Sequence, residues 1–478
     1  MKIGKQHARG FALEVMGDIL TSEELLSELQ HLYEEDSTNN FMPESLLLAI
    51  KNQISNAKHT EDAANKLYKF AKSKREMKKL QIVEVEVPAG ILQDGYSATL
   101  EDIRVLSRGP DDHIYSKNPD IRKWIPRGTT IMHLKGDVEW FDVVIYANKK
   151  FIGGIGDEDE CQPEDGEEWR DYCLEDPDTA NSVICMEKLN GEAAHFSGRY
   201  IDNNFYLITG SKNVHMLIRD CTDIDRYHGS RYGVAQVVAK TVCNTLKNLD
   251  DDKRHLLFNF LHHTKCTAFC EILQPENQHI VNLSELREPK ISLIAFTSIA
   301  TTDKETSLTA LPPHHGLELS GHLGLSFTGY KIINPQEVLV RRKEIREKTD
   351  IEGEVLYFLN TNNDTIGLAK VKSTWYIILR ALREKTVFSF TVAKKKSDWK
   401  LKDYIHLTHK RFLEIQKWLK FSDAYLQSWK KLSGSFLHWV DDKDRHNSLE
   451  RSCIRPQFPK LWEQFLEETD ETDKIELK

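Results

Sequence analysis

The chain holds eight cysteines, and no two of them form a Cys-x-x-Cys pair. That spacing offers neither a zinc ribbon nor a disulfide framework. Cys266 and Cys270 stand four apart in an apolar run and are expected to be buried thiols. No run of about 18 apolar residues occurs, and the first twenty residues hold no apolar stretch with a small-residue cleavage site. The expectation is a soluble intracellular protein, cytoplasmic or nuclear, with no membrane partner. A Gly-x-x-x-x-Gly-Lys-Ser/Thr segment is also missing, so no P-loop cradles a phosphate. The two signs of charge are nearly balanced: the formal net charge is -9, and no global basic field advertises nucleic-acid binding.

What is present divides by period. With 478 residues the chain exceeds what a single core fills, so two or three domains are expected. Residues 1–80 read as a helical region. Thr21 or Ser22 can cap a first helix through Glu23 and Glu24, with Leu25, Leu26, Leu29 and Leu32 on one face. Pro43 opens a second helix, and a third runs from about Thr60 to Leu80. The second half of that third helix carries Lys66, Lys69, Lys72, Lys74, Arg75, Lys78 and Lys79. They read either as a solvated face or as a surface that tracks phosphates.

From Gln81 the period becomes that of a strand, with Ile82, Val83, Val85 and Val87 set against Glu84 and Glu86. Strands are expected at Thr129–Leu134, Phe141–Ala147 and Phe151–Ile152. An acidic stretch, 156–180, reads as a surface loop because it lacks the turn chemistry of a calcium site. Residues 181–392 alternate short apolar strands with loops, and one helix is expected near Tyr232–Leu249. The last segment, 393–478, is helical in period. Between Lys394 and Trp439 it sets eleven Lys or Arg against four Asp or Glu, among nine large aromatics. It reads as an RNA-recognising domain, as a bundle whose aromatics are core, or as both on opposite faces.

Chemistry concentrates in the middle segment, 81–392. Glu187-Lys188-Leu189-Asn190-Gly191 lies between two apolar strands. A lysine there can be partly buried, and burial or a neighbouring cation lowers an amine pKa and frees a nucleophile. Gly191 would let a nucleotide approach the backbone closely. Five further segments follow in order. They are Tyr206 to Lys212, Phe269-x-Glu271 with Pro275-x-Asn277-x-x-Ile280-Val281, Ile291 to Phe296, Glu352-Gly353, and Lys370-x-Lys372-Ser373 with Trp375-Tyr376. Lys370 and Lys372 alternate with Val371 and so share one side of a strand. Glu271 sits in an apolar strand, an expensive place for a lone carboxylate unless a polar site adjoins it.

This ordered set resembles the covalent nucleotidyltransferases. Within them it is most similar to bacteriophage-type RNA ligases and the ligase domain of fungal and plant tRNA ligases. The form of the Phe269 and Lys370 segments carries that likeness, with Asn190 and Ser211-Lys212. The resemblance covers roughly residues 120–392. It implies an α+β fold with an antiparallel-sheet nucleotidyltransferase core of the adenylating, ATP-grasp-like kind, flanked by helical regions. It also implies a chemistry. Lys188 attacks the α-phosphate of ATP and becomes lysyl-AMP, with Lys370 and Lys372 neutralising charge. Glu187, Asn190, Gly191, Lys212, Glu271, Phe296, Glu352 and, upstream, Arg127 would hold the nucleotide. Phe296 would stack on adenine, or else be core. Glu271 and Glu352 would hold a magnesium or manganese ion.

The expected partner is RNA with 5′-phosphate and 3′-hydroxyl ends, such as a tRNA, since no end-preparing kinase accompanies the ligase segments. No obligate protein partner is expected. Two other readings stay open: a non-catalytic RNA-binding protein on the same fold, and a GTP-using capping-type transferase. The pairs His262-His263 and His314-His315 are expected in loops or at the surface, because adjacent histidines rarely chelate together.

Overall fold

The computed structural model describes residues 13, 18–34, 41–107, 109–137, 139–153, 166–302, 304–395 and 398–471. Three helices come first: α1 (Ser22–Glu34), α2 (Glu44–Ala57) and α3 (Thr60–Glu76). The start of α1 is a reciprocal cap. Thr21 Oγ1 accepts from the Glu24 N–H at 3.2 Å, and Glu24 Oε2 accepts from the Thr21 N–H at 2.7 Å.

Next come β1 (Leu80–Glu86), β2 (Ser97–Val105), α4 (Asp112–Lys117), α5 (Pro119–Trp124), β3 (Thr129–Lys135) and β4 (Trp140–Tyr146). The four strands make an antiparallel sheet in chain order. Ala63, Ala64, Leu67 and Ala71 of α3 cover one of its faces at Ile82, Ile103, Ile131 and Val143. The small residues let the helix lie close.

The expected strand at Phe151–Ile152 is not a regular one. The Ile152 carbonyl instead accepts from the Lys370 N–H at 3.4 Å. Of the acidic stretch, 156–165 lies outside the described residues. Its remainder forms two short 3-10 turns, where Asp176 and Asp178 pair with Arg170.

The chain continues through β5 (Ser182–Glu187), β6 (Glu192–Ile201), β7 (Asn204–Ser211), β8 (Val214–Ile218), α6 (Gly233–Lys247), α7 (Asp251–Thr264), β9 (Thr267–Leu273) and β10 (Lys290–Thr297). Then follow α8 (Pro313–His322), β11 (Tyr330–Ile333), α9 (Val338–Glu347), β12 (Gly353–Leu359) and β13 (Thr365–Lys372). These strands build two more sheets, in the orders β10-β9-β6-β7-β8 and β11-β5-β12-β13, and their strand pairings are antiparallel.

The single expected helix is α6, and α7, α8 and α9 stand where only strand and loop are expected. The reason is visible in α7. Leu256, Leu257, Phe258, Phe260 and Leu261 are all buried, so no polar face marks its period. Cys266 and Cys270 are buried thiols, as expected. The N-terminal helices do not stand apart. Leu25, Leu29, Leu46 and Ile50 join the core that holds β6, β7, α6 and α7.

The C-terminal part consists of α10 (Thr374–Val387), α11 (Leu401–Leu419), α12 (Asp423–Arg445) and α13 (Phe458–Thr469). Its apolar cluster starts at Trp375, Tyr376, Ile377 and Ile378, inside the segment expected to end at 392. Phe412, Tyr425, Trp429 and Phe436 are buried there, and Trp399, Trp418, Phe421 and Trp439 pack half-buried against it. Most of the described aromatics are therefore spent on a core, while Phe388, just after α10, is exposed. Among the described residues no helix is long and apolar enough to cross a membrane.

Trp429 is 1% exposed and lies 6.0 Å from the Trp462 ring, stacked on it. Truncation of Trp429 to Ala is expected to cost about 3–5 kcal/mol. Urea unfolding followed by circular dichroism measures it, and a loss below about 1 kcal/mol contradicts a packed core there.

Candidate functional site

The second and third sheets are joined by four residues, Lys188-Leu189-Asn190-Gly191, which carry the chain from β5 into β6. Strand pairing dictates what meets this linker. On the third sheet Gly353 opposes Lys372, so the start of β12 and the end of β13 coincide. The Lys188 N–H donates to the Gly353 carbonyl at 2.9 Å. On the second sheet β9 pairs with β6 and sets Glu271 opposite Ala193.

Glu352 is the centre of the arrangement and is 4% exposed. Its Oε1 lies 3.0 Å from Lys188 Nζ and 3.1 Å from Lys372 Nζ. Its Oε2 accepts from Asn190 Nδ2 at 2.7 Å. Burial would raise the carboxyl pKa, but the Lys188 and Lys372 cations hold it down at about 2. Glu271 has weaker support. Its Oε1 accepts from the Gly191 N–H at 3.0 Å. Burial, opposed by Lys188 and reinforced by Glu352, leaves it above the ordinary carboxylate value.

Lys188 departs from expectation. Burial works to lower its pKa, yet the facing carboxylates of Glu352 and then Glu271 outweigh it and hold the amine above its ordinary value. The expected depression fails because the charges nearest the amine are anions, not the second lysine. In this arrangement Lys188 rests as an ammonium, and its side chain is 23% exposed.

Asn190 uses its whole amide. Oδ1 accepts from the Ile280 and Val281 N–H groups at 2.8 and 2.9 Å, and Nδ2 donates to Glu352 and to the Tyr376 hydroxyl. This explains three sequence features together: Asn rather than Asp, the Ile280-Val281 pair, and Tyr376. An aspartate could not donate to Glu352. Ser373 caps α10 by accepting from the Tyr376 N–H at 3.1 Å, and its own N–H donates to the Glu352 carbonyl at 3.0 Å. The helix that presents Tyr376 is thereby tied to the strand that presents Glu352.

Two glycines are demanded by backbone crowding. A Cβ on Gly191 would stand 2.1 Å from the Ile272 carbonyl oxygen. Gly191 thus accommodates the close approach of β9's own backbone. Gly353 has φ +146°, and a Cβ there would meet the Val371 oxygen at 2.0 Å.

A second cluster lies at a cavity of about 540 Å³, lined by Arg104, Arg127, Lys150, Lys212 and Arg380 together with Asp111 and Asp112. Lys212 Nζ is 2.5 Å and Arg127 Nε 3.1 Å from Asp111 Oδ2, and Lys150 pairs with Asp112. Burial opposes the charge on Asp111, but Arg127 and Lys212 pull its carboxyl down to about 2. Burial, with Lys370 and Arg127 as cationic neighbours, pushes Lys150 down to about 8. Lys370, which shares a face of β13 with Lys372, is thus close enough to act on this cluster. Arg380 acts on Tyr376 from α10 and lines the cavity, so it lies between the two groups.

The structure therefore brings together Lys188, Asn190, Gly191, Glu271, Glu352 and Lys372, and separately Arg127 and Lys212 with Lys370 nearby. Two expected residues are elsewhere. Glu187 is exposed, with its carboxylate against Gly329. Phe296 is 1% exposed in the central core, edge-on to Phe260 at 5.1 Å, on a strand position paired with Ala268. The aromatic on Glu271's side of β9 is Phe269, two residues away. Its ring stacks on His195 at 5.6 Å, which stacks on His215 at 5.3 Å.

Phe269 shares Glu271's side of β9, a placement that its alternation with Glu271 carries in the sequence. Lys150, Asp111 and Arg380 carry no signal without the fold. Arg199 is fully buried on Asp142. The histidine pairs sit on α7 and α8, not in loops. His262 accepts from the Tyr200 N–H, and His314 is buried.

Among the described residues no group of three or more His, Cys, Asp or Glu could hold a metal ion. Both oxygens of Glu352 are engaged by cations and the Asn190 amide. Glu271 is thus the carboxylate better placed for an ion whose shell is completed by water and phosphate.

A family described as a domain of unknown function (DUF7920) matches residues 94–383 of the chain. No curated protein matches it. Two solved structures are similar in shape. An archaeal ATP-dependent RNA ligase in form 2 gives a TM-score of 0.40 at 13% identity, over 73% of this chain and 72% of that one. Form 1 gives 0.42 at 12% identity, over 82% and 84%.

Two outcomes follow from the geometry. Asn190→Asp sets a second carboxylate against Glu352 and removes a donor, and is expected to cost about 1–3 kcal/mol by urea unfolding. A stability equal to the parent's would show that the amide is dispensable. Glu352, lowered from 4.5 to about 2, contributes stability that is full above about pH 4.5 and is lost as pH falls through 2. Melting temperature against pH should therefore fall less steeply in that window for Glu352→Gln than for the parent.

Proposed function

This chain belongs to the DUF7920 family, and we propose that it is a covalent nucleotidyltransferase acting as an ATP-dependent RNA ligase. One observation carries the reading. A lysine on the linker between two sheets shares a buried carboxylate with a lysine from the end of β13, beside a second carboxylate. Residues from separate sequence segments, in the order that resembles the ligases, converge on one place.

The reaction follows from that placement. Lys188 Nζ sheds a proton and attacks the α-phosphorus of ATP. A P–N bond forms, the bond to the bridging oxygen breaks, and pyrophosphate leaves. Glu352, held near 2, is a poor acceptor for the Lys188 proton, so the proton passes to water as the nucleotide's negative charge displaces Glu352 from the amine. Lys370 and Lys372, on one face of β13, meet the negative charge that develops on the phosphates. Arg127, Lys150 and Lys212 suit the far end of a triphosphate, and Phe269 suits stacking on the base. A magnesium or manganese ion at Glu271 would supply charge neutralisation to the leaving group.

A 5′-phosphate of RNA then takes the adenylate. Its oxygen attacks the lysyl-AMP phosphorus, the P–N bond breaks, and Lys188 recovers a proton. Attack by a 3′-hydroxyl on that activated phosphate releases AMP and seals the strand. Repair of a broken RNA such as a tRNA is the role that this chemistry fits.

Incubation with α-labelled ATP and magnesium is expected to label the protein, and Lys188→Ala to abolish the label. Labelling by GTP in place of ATP would favour a capping-type transferase. No label with either nucleotide would leave a non-catalytic RNA-binding protein.

A further inference from the structure

The lysine-rich end of α3 is not used by the site described above. From Lys66 to Lys79 the chain carries seven Lys or Arg and one Glu, within a protein of net charge -9. Lys66, Lys69, Lys72 and Arg75 recur every three residues, a rise of about 4.5 Å per step. They are exposed, as are Lys78 and Lys79 just beyond the helix. Packing does not require them, because the buried face of α3 is Ala63, Ala64, Leu67 and Ala71. Individual pairs such as Lys74–Asp120 and Arg75–Glu84 offset part of the charge, not its sign.

This surface runs into the cationic cavity. The Lys79 carbonyl accepts from the Leu106 N–H at 2.8 Å, and Leu106 lines the cavity. Gln81, two residues on, also lines it and accepts from Arg104 Nε and Nη2 at 3.1 and 2.9 Å. Cations thus continue from α3 through Arg104 to Arg127, Lys150 and Lys212.

We infer that the exposed cations of Lys66–Lys79 are the landing surface for the single-stranded RNA whose 5′-phosphate end enters the cavity. The inference rests on the ligase reading for the identity of the substrate. A strand fits better than an acidic protein. Met77 is the one exposed large apolar side chain on this stretch, so a protein interface would lack the apolar centre it normally has.

The test is fluorescence anisotropy with a labelled 5′-phosphorylated single-stranded RNA, titrated across a range of salt, beside α-labelled ATP self-labelling. Lys69→Glu/Lys78→Glu/Lys79→Glu is expected to weaken RNA binding at least tenfold. The slope of log affinity against log salt should become shallower by about 2. Self-labelling and melting temperature should stay unchanged. Should the glutamates disturb the fold, Lys69→Ala/Lys78→Ala/Lys79→Ala gives the same reading with a smaller drop.

A charge-matched set on α11 and α12, Lys410→Glu/Lys417→Glu/Lys431→Glu, is the comparison. An equal or larger loss there would make the effect one of total charge or place the strand on those helices, and would overturn the inference. Unchanged RNA affinity in the α3 set would also overturn it, and would assign the face to an acidic protein if binding to poly-glutamate is lost. Absent self-labelling in the parent with α3-dependent RNA binding would sink the ligase reading and keep the landing surface.

Discussion

A single buried carboxylate sets the terms for the site. Glu352 is almost fully out of water, and an unpaired charge there would be very costly. It is affordable only because Lys188, Lys372 and the Asn190 amide reach it together. Those partners come from a linker and from the far end of β13, so the third sheet must close for the carboxylate to be neutralised. Ser373 extends the requirement to α10, and Asn190 extends it to the loop at Ile280. The two sheets and the C-terminal helices are thus joined through one charge. That same coupling makes the state of Lys188 a consequence of architecture. An amine that neutralises Glu352 cannot also be deprotonated at rest, so in the proposed reaction proton loss would accompany arrival of the nucleotide's own charge.

How much of this was legible follows from which interactions are local in sequence. The alternation of Lys370 and Lys372 about Val371 fixed their common face, and β13 carries it. The apolar run around Glu271 implied a polar neighbour or a buried ion pair, and the Gly191 N–H is the neighbour found there. The amphipathic periods of α1 to α3 were readable, while α7 was not, since a helix buried on all sides has no polar stripe. Phe296 and Phe269 show the limit most clearly. Alternation alone puts Phe269 on Glu271's face of β9, whereas only the register of β10 against β9 puts Phe296, opposite Ala268, on the other face. The direction of the Lys188 shift was beyond the sequence for a related reason. Spacing shows that a cation is near in the chain order but not that two carboxylates are nearer in space.

The cavity cluster obeys a different electrostatic constraint. Arg127, Lys150 and Lys212 converge without a ligand, and three cations so placed repel one another. Lys150 registers that repulsion, since burial and its cationic neighbours bring it down to about 8. Asp111 and Asp112 supply the counter-charge that lets the cluster persist in the folded chain. An anion entering the cavity must therefore compete with Asp111 for the same nitrogen atoms, and its gain is the difference between two sets of ion pairs. A phosphate, with more charge and more acceptor oxygens than one carboxylate, wins such an exchange where a chloride would not. In the proposed reaction, any preference for phosphate-bearing ligands would then arise from the resident carboxylate as much as from the cations around it.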